Sequence, residues 1–410
     1  MTKDYYDFNL FSVDSADQDD VNQKDIPLIN NHIHTPHSFS AFTDIEQPFR
    51  MAKAEGIGIL GINDFYTTDG YDEFAEFAKA YKIFPLFNIE FMALQKSLQD
   101  AGIRVNDPQN PGRTYLCGKG LCYPVSMSNS SFLKLQSLQR ESNRQTFQMV
   151  DKLNKFLKTT STGIGFDAAL MQQKLARNLL RERHIATAVR LEVFAKYSTE
   201  QDRVFALTEI FSGKIPKSSL NELAALENEI RNNLLKVGGP AYVEEDEKAF
   251  LSLDEVIELI VDAGGIPCYP VLLDDTKGNF TDFEAGFPAM AETLKAKGIF
   301  MVELIPCRND FFILKDFVRY FDQQGFSITF GTEHNTPQLD PLTITCRGGV
   351  QLDEELLQIN YKGAAIIAAH QYLISKRKSG FPTDQFPSTT ILKELEKIGK
   401  QVISNFINQL

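Results

Sequence analysis

From Ile26 onward the chain alternates short apolar runs with stretches of helical periodicity, and that alternation limits the folds open to it. "IPLINNHIH" reads as a strand and "IEQPFRMAKAEG" as a helix closed by Gly56. "IGILGIND" is a second strand, "GYDEFAEFAKAYK" a second helix and "IFPLFNIEFMAL" a third strand. Strand and helix in turn imply a parallel sheet or barrel, in which ligand groups collect at the carboxyl ends of the strands. The rhythm resumes at "SLDEVIELIVDAGG", a helix with Ser252 as N-cap and a glycine stop. "IPCYPVLL", "GIFMVELIP" and "FSITFGTEHNTP" then supply further strands.

Between these halves, 129–250 is rich in Gln, Lys, Leu and Glu at helical spacing and reads as a helical insertion, with breaks near "TSTGIG" and "SGKIPKS". A heptad-like stretch there would serve either dimerisation or packing against its neighbours. Residues 1–25 form a polar, acidic lead-in, 26–128 and 251–345 the α/β barrel, and 346–410 a C-terminal helical segment packed outside it.

The chain of 410 residues is 43% hydrophobic and 23% charged, ordinary for a soluble globular protein. A net charge of −12 argues against a nucleic-acid backbone or an anionic membrane as partner. The five cysteines show no CxxC spacing, and no run approaches the ~18 apolar residues of a membrane span. A cytoplasmic protein with reduced thiols is expected.

Only 6 histidines occur, and three of them, His32, His34 and His37, fall within "HIHTPHS". His32 and His34 stand at i and i+2 on a strand, so both imidazoles leave the same face. His32, His34, Asp64 and Glu90 fall at three strand ends, and Glu333 and His334 arrive at a later one. Imidazole and carboxylate together suit Zn, Mn or Fe and can hold one ion or two. Asp64 could bridge a metal, orient a ligand histidine or take a proton. Adjacent Glu333 and His334 cannot both point into a site from one regular strand. The segment "RVNDPQNPGRTYLCGKG" reads as a stiff polar loop. Its Arg113 and Lys119 suit an anionic group, with Tyr115 beside them. His37 is an additional candidate contact.

The order of these motifs resembles the polymerase and histidinol phosphatase (PHP) family of metal-dependent phosphoesterases. "HIHTPHS" is similar to the family's opening HxHT motif, "ILGINDF" lies where it has TDH, and "FNIEF" where it has a flanked glutamate. "YLCGKG" resembles its fourth motif, "SLDEVIELIVDAGGIP" the helix before its Ala-His-Pro, and "GTEHN" its Gly-Ser-Asp-x-His. The resemblance implies a distorted (β/α)7 TIM-like barrel with metal at its C-terminal face. Phe65, Tyr115 and Tyr269 stand where the family carries histidine, Phe39 where it often has aspartate, and Asn335 where the last histidine is expected.

The expectation is therefore a divergent PHP-like phosphoesterase acting on a small phosphorylated substrate through a reduced site. His32, His34, Glu90 and Glu333 would hold the ion, Asp64 or His334 would handle protons, and Arg113, Lys119, Tyr115 and His37 would bind substrate. The alternative is a catalytically degenerate PHP scaffold with a ligand-binding or regulatory role.

Overall fold

The computed structural model describes residues 26–409, so the polar lead-in lies outside the described residues. Seven strands form one sheet in sequence order: β1 (Leu28–Ile33), β2 (Ile57–Phe65), β3 (Phe84–Leu94), β4 (Arg113–Lys119), β5 (Ile266–Val271), β6 (Met301–Leu304) and β7 (Ser327–Phe330). A bridge between Ile33 and Glu333 brings the two edges together, so the sheet is a nearly closed barrel. β2 and β3 are buried on both faces almost throughout, which explains their continuous apolar runs.

The barrel departs from a uniform parallel winding at β4, which pairs antiparallel with both β3 and β5. Half of the segment read as a loop is thus a strand. Thr114 to Cys117 have the β-branched, aromatic and apolar character that fits a half-buried pleated surface. The reversal also inverts depth. Arg113 pairs with Leu94 at the carboxyl end of β3, whereas Lys119 pairs with Ile266 at the start of β5. Arg113 therefore lies at the mouth and Lys119 at the far end.

Helices α1 (Glu46–Glu55), α2 (Tyr71–Tyr81) and the short α3 (Lys96–Asp100) connect the first four strands. The insertion contributes α4 (Asn129–Leu157), α5 (Ala168–Leu175), α6 (Glu182–Lys196), α7 (Glu200–Ile210) and α8 (Leu223–Leu234). Leu135 and Leu138 of α4 join the barrel's core, while Met149, Val150, Leu153 and Leu157 join a separate core with Val189, Leu207 and Ile230. The apolar stripe of α4 is covered by its own chain, so core packing accounts for the heptad-like pattern.

After α9 (Leu253–Asp262), α10 (Phe287–Ala296) and α11 (Phe311–Gln323), the chain ends in α12 (Glu354–Ser375) and α13 (Thr389–Gln409). α12 is enclosed, with Gly363 to Gln371 all buried. "GAAIIAAH" is apolar around its whole circumference, the pattern of an enclosed helix. Asn360 accepts from Asn31 at 2.7 Å and from the Phe330 amide at 2.8 Å, and Gln371 accepts from the Phe87 amide at 2.8 Å. His370 bonds the Gly264 carbonyl at 2.7 Å. These contacts at Phe87 and Gly264, near the starts of β3 and β5, lay α12 across the end opposite the mouth.

Candidate metal centre

His32 is the penultimate residue of β1 and His34 the first residue past its end, and their rings converge as the i, i+2 spacing predicts, with Nε2 atoms 3.2 Å apart. Their other nitrogens are both committed. His32 Nδ1 lies 2.6 Å from Glu303 Oε2, so it donates to that buried carboxylate. His34 Nδ1 lies 3.2 Å from Ser38 Oγ, whose own hydroxyl donates to Asp64 at 2.7 Å; the serine oxygen must then accept from the imidazole. Both tautomers, assigned from these bonds, leave the two Nε2 atoms unprotonated and side by side, with the Asn63 amide donating to that of His32 at 3.0 Å. Glu90 Oε2, from β3, stands 3.6 Å from His34 Nε2. One ligand atom from each of His32, His34 and Glu90 falls within 4.8 Å of the others.

The electrostatics agree. Burial first, and His32 second, hold His34 well below its ordinary range, which keeps it neutral and able to coordinate. Burial first, then the Glu333 and Glu303 charges, push Glu90 well above the carboxylate range. A bound cation relieves that strain on Glu90. Burial works against ionised Glu303, yet Lys119 and His32 pull it down to about 2. The donor set fits a divalent ion.

Access comes through a cavity of about 450 Å³, whose lining includes Phe39, Glu90, Tyr115, Arg113 and Glu333. Phe39 stacks on His34 with ring centroids 4.9 Å apart, so the histidine lies beneath an aromatic cover. Gly331 makes the close approach of β1 and β7 possible: a Cβ there would fall 2.3 Å from His32 Cβ.

Several residues expected at the site lie elsewhere. Asp64 is absent from the converging group. It accepts from the Thr35 amide at 2.7 Å and from the Thr35 and Ser38 hydroxyls, while burial raises it to about 7. It is linked to His34 through the Ser38 hydroxyl and does not line the cavity. Glu333 and His334 both have positive φ, at 63° and 52°, and diverge. Glu333 enters the cavity but is held by Arg308, one nitrogen at 2.8 Å, and by Asn335 at 2.6 Å. His334 turns away to Thr332 and the Asp340 carbonyl and stacks on Phe42.

Lys119 does not reach the cavity either. Antiparallel β4 carries it inside the barrel, where it is fully buried against Glu303. His37 bonds Arg177 at 3.0 Å, away from the cavity lining. Arg113 and Tyr115 do line the cavity, Arg113 in an ion pair with Glu245. Tyr269 donates to buried Glu284 at 2.8 Å and takes no part in the converging group.

Other residues, not singled out from the sequence, join the site. Glu303 was legible as a lone carboxylate inside the apolar strand "FMVEL", and Asn63, 3.0 Å from His32 Nε2, as a polar residue inside β2. The insertion brings Arg181, Arg183, Arg231 and Lys236 over the mouth. Arg231 and Lys236 pair with Glu182 at 2.7 and 2.8 Å. Arg181 donates to Ser142 at 2.6 Å and lies 4.7 Å over the Phe65 ring, and Arg183 donates to Asn228 at 3.1 Å. Neither has a carboxylate partner among the described residues. Burial first, and Arg231 second, bring Arg183 down to about 10. No sequence pattern marked these arginines, because nothing in "RNLLRERH" says which barrel end the insertion covers.

No family model and no curated protein matches the chain. Among solved structures it is similar to a candidate metal-dependent phosphoesterase from Bifidobacterium adolescentis, at TM-score 0.52 and 18% identity, covering 81% of this chain and 94% of that one. A second similar structure is an amidohydrolase from Chromobacterium violaceum with bound sulfate and no metal, at TM-score 0.47 and 17% identity, covering 81% and 96%. No helix among the described residues is long and apolar enough to cross a membrane. The first likeness shows the fold alone, which in this chain is a nearly closed barrel of seven strands.

Proposed function

We propose that this chain is a metal-dependent hydrolase, a phosphoesterase acting on a small anionic substrate, with His32, His34 and Glu90 as the ligands of its ion. The observation that carries it is the convergence of the two unprotonated Nε2 atoms, 3.2 Å apart, with Glu90, each ring fixed by a hydrogen bond at its other nitrogen. An ion held there supplies Lewis-acid polarisation and charge neutralisation at a phosphoryl oxygen.

The chain's own groups do the rest. Glu303 and the Ser38–Asp64 pair hold the two imidazoles in their coordinating tautomers. Arg181 and Arg183 face the cavity without carboxylate partners and bind the anionic part of the substrate. Phe39 excludes water above His34. A panel of phosphomonoesters and phosphodiesters, supplied with Mn or Zn, tests the proposal beside the His32→Ala/His34→Ala variant. Metal-dependent turnover lost in the variant supports it; no turnover at any metal overturns it.

One observation favours a second reading, a binding scaffold without catalysis. Glu303 and Glu333 already carry basic partners, Lys119 and Arg308. That reading expects thermal stabilisation by a small anion and no hydrolysis.

A further inference from the structure

Three carboxylates surround the two histidines. Glu303 is fully buried and both of its oxygens are used, one by His32 Nδ1 and the other by the Lys119 ammonium. Lys119 also lies 3.4 Å from Asn63 Oδ1, and Cys117 Sγ 3.8 Å from Glu303. His32, Cys117 and Glu303 lie close enough together to hold an ion, yet an ammonium already sits on their carboxylate.

Glu333 is treated in the same way. Its backbone is fixed by two bonds to β1, the Glu333 amide to the His32 carbonyl at 2.9 Å and the His34 amide to the Glu333 carbonyl at 2.8 Å. The guanidinium of Arg308 takes both of its oxygens. Arg308 comes from a turn, Pro306–Arg308, directly after β6, so its reach is short. Glu90 alone of the three carboxylates has no lysine or arginine within ion-pair distance among the described residues, and Glu90 is the one grouped with both histidines.

We infer that Lys119 and Arg308 are built-in counter-cations that replace further metal ions, so that the centre takes a single divalent ion per chain. This rests on the metal-dependent reading above and sharpens it. A dication approaching Glu303 or Glu333 would meet a fixed positive charge at contact distance, and at fully buried Glu303 that repulsion is poorly screened. At the histidines and Glu90 it meets two unprotonated imidazole nitrogens and a carboxyl group that no lysine or arginine contacts.

Metal content per chain, measured by plasma mass spectrometry after equilibration of the full chain with excess Mn and removal of free ion, tests the inference. The unmodified protein should hold about one ion, and Arg308→Ala, by freeing Glu333, about two. Arg308→Ala/Glu333→Ala should return to about one. Lys119→Met, loaded with Zn to suit the thiol, should likewise gain an ion. Arg308 is half-exposed, so its variants decide the matter even where the buried lysine variant fails to fold. Two or more ions on the unmodified protein, or an Arg308→Ala variant that stays at one, would overturn this inference and leave the metal-dependent reading standing. No ion on the unmodified protein would overturn both.

Discussion

His32 Nδ1 and Glu303 Oε2 are 2.6 Å apart at the centre of the barrel, and this contact determines which nitrogen of His32 faces His34. Replacing Glu303 by Gln keeps the shape but leaves a neutral acceptor behind the imidazole and an unpaired Lys119. Loss of such a supporting partner lowers metal affinity by about 10- to 100-fold, and a broken buried ion pair destabilises by roughly 3–5 kcal/mol. Competition titration with a chromophoric chelator and thermal unfolding measure the two effects. Unchanged affinity would show that Glu303 does not orient His32.

Gly331 links fold to site through the same histidine. In Gly331→Ala the new methyl group falls 2.3 Å from His32 Cβ, so β1 and β7 must separate. Overpacking of this kind costs roughly 1–3 kcal/mol, and the expected outcome is lost stability together with weaker metal binding. Denaturant unfolding and metal titration check it. A variant with full stability and full metal affinity would contradict the tight approach.

The arginines at the mouth give a separate prediction. Arg181→Met and Arg183→Met should each weaken binding of inorganic phosphate by about 1–2 kcal/mol, near tenfold, without changing metal content. Isothermal calorimetry on metal-loaded protein reads this directly. Equal phosphate affinity in both variants would remove the insertion from substrate recognition.

The far end of the barrel makes stability depend on pH. Burial holds His370 down to about 4, although its bond to the Gly264 carbonyl acts the other way. In the unfolded chain it titrates near 6.5, so between those values the unfolded state takes up the proton and the folded state does not. Its contribution is complete above about pH 6.5 and is lost as pH falls toward 4, roughly 3 kcal/mol in all. Between pH 7 and pH 5 the unmodified protein should lose about 2 kcal/mol more than His370→Gln. Urea unfolding at the two pH values tests this. Parallel losses would show that His370 titrates normally.

Much of the barrel was legible in the order of its strands and helices, because a buried parallel strand such as "IGILGIND" is an unbroken apolar run up to the polar residues at its end. The convergence of His32 and His34 with Glu90 followed from i, i+2 spacing and strand-end placement. The direction of β4 did not, because a seven-residue strand between two glycines has the same composition whichever way it runs. That single reversal sent Lys119 into the barrel and Arg113 to the mouth. Asp64 and His334 each occur at a strand end, but hydrogen bonds to Thr35 and Ser38, and to Thr332 and the Asp340 carbonyl, keep them out of the cavity lining, which strand-end placement does not foretell. The arginines of the insertion depend on how two separate cores meet, which no local pattern encodes.

The most direct test of the metal centre is the elemental content of the purified full chain beside its His32→Ala/His34→Ala variant. Near-stoichiometric Zn, Mn or Fe in the unmodified protein, absent from the variant, is the expected result. An unmodified protein that carries no divalent metal, even after incubation with Mn and Zn, would contradict the account.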